Sequence, residues 1–397
     1  MRTRTIAGIT VPALGSGDVD LTTSAARGVD ARDVRAALST TLELGLRLVD
    51  IHPDADSELL AGEVIRALRM RDSVVAAVRV PPVPARPGFT PRDTLLDRLP
   101  PPYVQDRVEA ALRATKLDVL PLVHLALRPS WRSSPAWPEL VELCARLVRE
   151  GKVLAWGAFV DAIADDTRHL FAERWLTTLS APFNPCERAA EPLLDPDAAP
   201  PEPPPPPPSD LDLLLAASAK IPGAGMLPPE LLLAAATVPI LGAPPPPPRS
   251  APDEPPPPAP AATPHLPVLL ARRPLAGGAY AGHIAPGMRL PRTDDRHAID
   301  DATLTRIAVE IARLAPLVHD TPPAARSVEA AQAVLERGRR PDHLEAHTVG
   351  ELALRYVLDR GAVPLPRLHR ADHVASALAC LAAAPLSADL VAKITDT

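Results

Sequence analysis

The chain has 397 residues, of which 53 are proline and 11 aromatic (4 Trp, 3 Tyr and 4 Phe), so a binder built on an aromatic cage is excluded. With 42 Lys+Arg against 48 Asp+Glu the net charge is -6, lacking the basic excess that nucleic acid or an anionic membrane surface would favour. Cys144, Cys186 and Cys380 are odd in number, far apart and without CxxC spacing, which speaks against a disulfide framework or a structural zinc site. An apolar content of 46% and a charged content of 23% are those of a globular protein, long enough for two domains or one large α/β barrel. No apolar run reaches the roughly 18 residues of a spanning helix, and no apolar signal segment follows the first charges, so a soluble cytoplasmic protein is expected.

Short β-branched or Leu-rich runs alternate with amphipathic stretches through the first 184 residues, the pattern of a parallel sheet covered by helices. The strands predicted there are Pro12 to Gly17, Leu46 to Asp50, Val74 to Val80, Asp118 to Leu125, Val153 to Phe159 and Leu176 to Asn184. Asp30 and Asp33 frame a helix start whose Val34, Leu38 and Leu42 share one face, and Gly45 ends that helix. Pro138 suits the first turn of another, with Leu140, Val141, Cys144, Leu147 and Val148 as its apolar stripe, which makes Cys144 a core residue.

From 196 to 260 the proline runs Pro203 to Pro208, Pro244 to Pro248 and Pro255 to Pro258 impose stiff polyproline II and remove backbone donors, so this segment is a proline-rich insertion. Two apolar islands, Leu211 to Ala219 and Leu231 to Ala236, interrupt it. It reads as a surface spacer or, alternatively, as a ligand for a protein partner. The pattern resumes with a strand at Pro267 to Leu275, helices near Leu304 to Leu314, Val328 to Leu335 and Val349 to Leu358, a strand at Val363 to Leu368 and a last helix after Ala371. Eight strands without a GxGxxG turn favour a (β/α)8 TIM barrel, with residues 1–195 as its first part, 196–260 inserted between strands six and seven, and 261–397 as its remainder. Chemistry in such a barrel belongs at the C-terminal ends of the strands.

Several segments, in order, resemble the landmarks of the aldo-keto reductases. They are Ile9 to Gly17, Leu46 to Glu58, the Trp137 to Gly157 helix and strand, Pro182 to Asn184 with Arg188 and Glu191, Ala271 to Gly278, and Glu351 to Leu358. The resemblance implies an NADPH-dependent carbonyl reductase ancestry in which an Asp, a Tyr, a Lys and a His stand at successive strand ends. In that family the Tyr gives the proton, its phenol pKa lowered by the Lys. Here Asp50 and His124 match, whereas Ala55 stands at the Tyr position and Arg79 at the Lys position. A guanidinium can pair with Asp50 but stays protonated, so it cannot relay a proton near neutral pH. His52, Asp54 and Asp56 are candidate substitute acids, and Tyr280 is the tyrosine to test as a donor; Tyr103 and Tyr356 read as packing residues.

The cofactor positions depart too. Phe159, Val160 and Ser180 replace the family's nicotinamide-amide partners, and Arg272 replaces its stacking Tyr. Arg367 and His373 fall where the resemblance places the 2'-phosphate contacts, while Ser376 and Ala377 replace the adenine-binding pair. What this implies is a weak NADPH site at most. No P-loop, HExxH or GxSxG is present, and Asp118 with His124 lacks a third ligand, so no metal is expected. Three readings follow. The first is an impaired or non-catalytic relative that binds a phosphate-bearing ligand or a partner. The second is an active reductase of aldehydes or ketones using His124 with a substitute acid. The third is a protein-interaction scaffold working through its polyproline runs.

Overall fold

The computed structural model describes residues 2–88, 90–195, 267–318 and 346–396. The proline-rich insertion, its two islands and the helix expected at 328–335 lie outside the described residues.

A hairpin opens the chain: β1 (Thr3–Ile6) pairs antiparallel with β2 (Ile9–Pro12) through Ala7 and Gly8, both at positive φ as a type I′ turn requires. Eight parallel strands then follow, β3 (Ser16–Val19), β4 (Leu48–Ile51), β5 (Val75–Val80), β6 (Leu120–Ala126), β7 (Val153–Phe159), β8 (Leu176–Pro182), β9 (Val268–Arg272) and β10 (Val363–Pro364). Each pairs with its neighbour in chain order. The seam between β3 and β10 is closed by two backbone hydrogen bonds, from Gly15 N–H to Pro364 O at 3.1 Å and from Gly17 N–H to Pro366 O at 2.8 Å. Glycine is needed at 17, because a Cβ there would sit 2.1 Å from the Leu365 carbonyl oxygen. The expected (β/α)8 barrel is therefore present.

One expected strand is divided. Residues 12–17 span the end of β2 and the start of β3, because the chain must turn from the hairpin across the barrel floor before it enters the wall. The hairpin's first strand was not foreseen. Asp118 also lies outside its expected strand, exposed and bonded to Arg71 at 2.9 Å, so it does not share β6 with His124.

Strand alternation sorts the side chains into two cores. Leu48, Val75, Ala77, Leu122, Ala155, Leu270 and Val363 fill the barrel interior, and Ile6 and Val11 of the hairpin join them from below. Val49, Ile51, Val78, Val80, Val123 and Leu125 face outward and pack with helical residues such as Leu38, Leu60, Val64, Val104 and Leu147. Each fully buried Leu or Val contributes roughly 1.5–3 kcal/mol. The helices carry the expected punctuation: Asp30 caps residues 31–43 by accepting from Asp33 N at 2.8 Å, and Pro138 stands in the first turn of 137–149. Cys144 is buried in that helix, and burial pushes its thiol pKa up, consistent with a packing role. Among the described residues, no helix is long and apolar enough to cross a membrane.

Candidate functional site

Two residues beyond the apolar layer of each strand, the inward positions turn polar. Asp50 follows Leu48, Arg79 follows Ala77, His124 follows Leu122, Ser180 follows Thr178, and Arg272 follows Leu270. Phe159 stands two after Gly157 on β7. These six positions form the C-terminal mouth of the barrel.

Arg79 donates to Asp50 Oδ2 at 2.8 Å and lies 3.5 Å from Asp18. Burial works against its charge, but Asp50 and Asp18 outweigh that cost and raise its pKa. For Asp50, almost fully buried, desolvation raises the pKa more than Arg79 lowers it. Asp18, just past Gly17, is the hub of the rim. It accepts from His52 Nδ1 at 3.2 Å and from Arg367 at 2.6 Å. Despite burial, the His52 hydrogen bond and the charges of Arg79 and Arg367 hold its carboxyl well below the usual range. Sequence reading missed Asp18; its one signal is the pair Asp18 and Asp20 at the C-terminal end of a strand.

His124 is completely buried, and its Nε2 lies 2.9 Å from Thr178 Oγ1. Burial, with Arg79 and Arg272 nearby, lowers its pKa to about 3, so the ring is neutral. It rests over Gly157, where a Cβ would come within 2.4 Å of the imidazole. The Arg79 and Arg272 guanidiniums both lie against the ring of Phe159, at 4.2 and 3.6 Å from its centroid. Arg272 also donates to the Val160 carbonyl. Val160 N–H donates to Ser180 O at 3.0 Å, and both side chains are buried.

Of the candidate substitute acids, Asp54 and His52 are engaged by neighbours. Ala55 is exposed at the start of the helix 55–67, and Asp54 caps that helix by accepting from Ser57 N at 2.9 Å. Asp56 is exposed in its first turn, and His52 is held by Asp18. Nor does a phenol replace the absent one. Tyr103 donates to Pro81 O and Tyr356 to Glu191, each at 3.0 Å. Tyr280 is buried in the turn 276–281, which packs against the helices 301–314 and 349–359.

At the rim, Arg367 is drawn to Asp18 and lies 3.7 Å from Asp295, while Arg27 pairs with Asp295 and Asp294. His369 and His373, four residues apart, stand edge-on with ring centroids 4.9 Å apart beside His283. Arg27 Nε, Arg367 Nη1 and the Nδ1 atoms of His369 and His373 are buried without a hydrogen-bond partner. Asp18, Asp20 and His52 bring three donor atoms within 4.8 Å of one another, but Arg79 and Arg367 already neutralise Asp18.

These features define a parallel (β/α)8 barrel with a charged, buried C-terminal mouth. More particularly, the barrel has the fold of the aldo-keto reductases. An aldo-keto reductase from Klebsiella pneumoniae in complex with NADPH superimposes with a TM-score of 0.51 at 18% identity, over 99% of this chain and 94% of that one. A glycerol dehydrogenase from Gluconobacter oxydans gives 0.56 at 16% identity, over 100% and 94%. The holo form of a Bacillus halodurans aldo-keto reductase gives 0.54 at 15%, over 99% and 95%. No family model and no curated protein matches the sequence.

Proposed function

We propose that this chain is a non-reducing member of the aldo-keto reductase fold, a cytoplasmic protein whose mouth binds a ligand without transferring hydride to it. The observation that carries the reading is Ala55, exposed at the position where the resemblance puts the proton donor, beside an Asp50–Arg79 ion pair, while Tyr103 and Tyr356 bond to Pro81 and Glu191 and Tyr280 is buried in the turn 276–281. Arg79 holds its proton too tightly to give it up at neutral pH.

The residues present do not fit the nicotinamide end of NADPH. The Phe159 ring lies against the Arg272 guanidinium, covering the group that would have to stack on that heterocycle. Val160 offers only a carbonyl already engaged by Arg272. A second reading, a ligand held by its phosphate, draws on the unpartnered Arg27, Arg367, His369 and His373 atoms at the start of the helix 371–382. Asp18 and Asp295 already compensate much of that charge.

Titration of NADPH, read by its fluorescence and by reduction of a panel of aldehydes and ketones, tests the proposal. No carbonyl reduction is expected from the native chain. Turnover by it, equal to that of the Ala55→Tyr/Arg79→Lys variant, would overturn the reading in favour of an active reductase. Deletion of 196–260 tests the scaffold role separately: an unchanged set of co-purifying proteins would remove it.

A further inference from the structure

The guanidiniums of the mouth are not equally compensated. Arg79 sits on Asp50, and Arg367 sits on Asp18. Arg272 has no such partner. Its one hydrogen bond goes to the Val160 carbonyl, and the nearest carboxylate, Asp161, lies 4.0 Å away with a side chain that is 96% exposed. A carboxylate so solvated screens a buried charge poorly. Arg272 itself is only 13% exposed, its Nε is without a partner, and Arg79, which lies over the same Phe159 ring, adds like charge. Burial first, and Arg79 second, lower its pKa to about 9, which leaves it cationic at neutral pH.

A buried cation with four of its five N–H donors uncommitted to protein is costly to maintain. An apolar residue at this inward position would extend the layer of Leu270 below it without that cost. We infer that the mouth is a receptor for a small organic carboxylate, which takes its place on Arg272 beside the Phe159 ring. This rests on the reading that no nicotinamide occupies that place.

Charge selects the class of ligand. Asp50 and Asp18 offset Arg79 and Arg367, so of these three guanidiniums Arg272 alone lacks a buried carboxylate, and its complement is an anion. Asp161 at the rim disfavours a second negative charge. The buried hydroxyl of Ser180, in register with Phe159 and without a partner, supplies a polar contact from the adjacent strand. A guanidinium recognises a carboxylate through paired N–H donors, a match that an uncharged amide cannot reproduce.

Calorimetric titration of the full chain at pH 7.5 with benzoate, benzamide and inorganic phosphate tests the inference. Benzoate is expected to bind saturably with a dissociation constant on the order of 1 mM, and benzamide and phosphate about tenfold more weakly or not at all. In Arg272→Met the benzoate affinity should fall about tenfold, and in Arg272→Lys, which keeps the charge but loses the paired donors, it should fall by a smaller factor, about threefold to fivefold. A flat benzoate titration, equal affinity for benzamide, tighter binding of phosphate, or unchanged affinity in Arg272→Met would each overturn the inference. Should Arg272→Met fail to fold by circular dichroism, the ligand comparison on the native chain and the Arg272→Lys titration decide alone. Carbonyl reduction in the NADPH assay would instead sink the non-reducing reading, whatever benzoate does.

Discussion

The barrel's two ends use the same strands to opposite effect. At the floor, Leu48, Val75, Ala77, Leu122, Ala155, Leu270 and Val363 close on the hairpin residues Ile6 and Val11 in an apolar layer. Two residues further along, the mouth buries Asp50, Arg79, His124 and Arg272, and its unpartnered atoms include Asp50 Oδ1, Arg79 Nε, His124 Nδ1, Ser180 Oγ and Arg272 Nε. An orphaned buried polar atom costs about 1–3 kcal/mol, so the mouth draws on stability that the floor supplies. The fold carries this burden at the C-terminal strand ends, the end where chemistry in such barrels resides.

The sharpest way to break the comparison is at the seam that both ends share. Gly17→Val would drive a Cβ into the Leu365 carbonyl, a backbone atom that cannot yield without reopening the barrel. The expected outcome is a chain that fails to fold, seen as loss of the cooperative urea transition. A variant with a native midpoint would contradict the closed seam.

Within the mouth, Asp50→Ala should cost about 3 kcal/mol, because it leaves the buried Arg79 with only the longer contact to Asp18 at 3.5 Å. The double variant Asp50→Leu/Arg79→Met should recover most of that loss, since it replaces both charges by apolar groups of the kind the floor already uses. Urea unfolding of Asp50→Leu, Arg79→Met and the double separates pairing from packing; a double variant as unstable as the sum of those singles would mean that the pair is held by something other than its own attraction.

The mouth should also respond to acid where the floor cannot. In the unfolded chain His124 titrates near 6.5, whereas in the fold its pKa is about 3. Between those values only the unfolded chain binds the proton, so its contribution is full above pH 6.5 and is lost as the pH falls towards 3. Between pH 7.5 and pH 5 the native protein should lose about 2 kcal/mol on this account. His124→Leu should lose that much less over the same interval, by urea midpoints at the two pH values. Identical losses in both proteins would show that His124 is not the group responsible.

How much of this was legible in the sequence follows the same division. The resemblance to the aldo-keto reductases put Asp50, Arg79, His124 and Arg272 at strand ends, and strand alternation in the barrel turns them to the inner face. The covering helices were equally readable, because caps such as Asp30 act over three residues. What the sequence did not disclose is how the rim is neutralised. Arg367 reads as a phosphate contact, but it lies 2.6 Å from Asp18, a partner 349 residues away that barrel closure alone brings near. Arg272 reads as a poor stacking residue, and only the position of Phe159 shows what lies against it. Asp118 and His124 looked like a pair on one strand because the strand was begun two residues too early.

The smallest expected effect concerns a residue that sequence alone offered as a catalytic acid. Asp54 lies four residues after Asp50, close enough along the chain to suggest proton transfer, yet its Oδ1 accepts from Ser57 N at 2.9 Å and starts the helix 55–67. Asp54→Ala should therefore cost about 1 kcal/mol, the usual value of an N-cap, and Asp54→Ser should restore most of it because a hydroxyl accepts from the same backbone amide. Benzoate affinity should be unchanged in both variants. A loss of ligand affinity that Asp54→Ser does not repair would move Asp54 from the helix into the mouth, and the line between the scaffold and the working end would have to be redrawn at that residue.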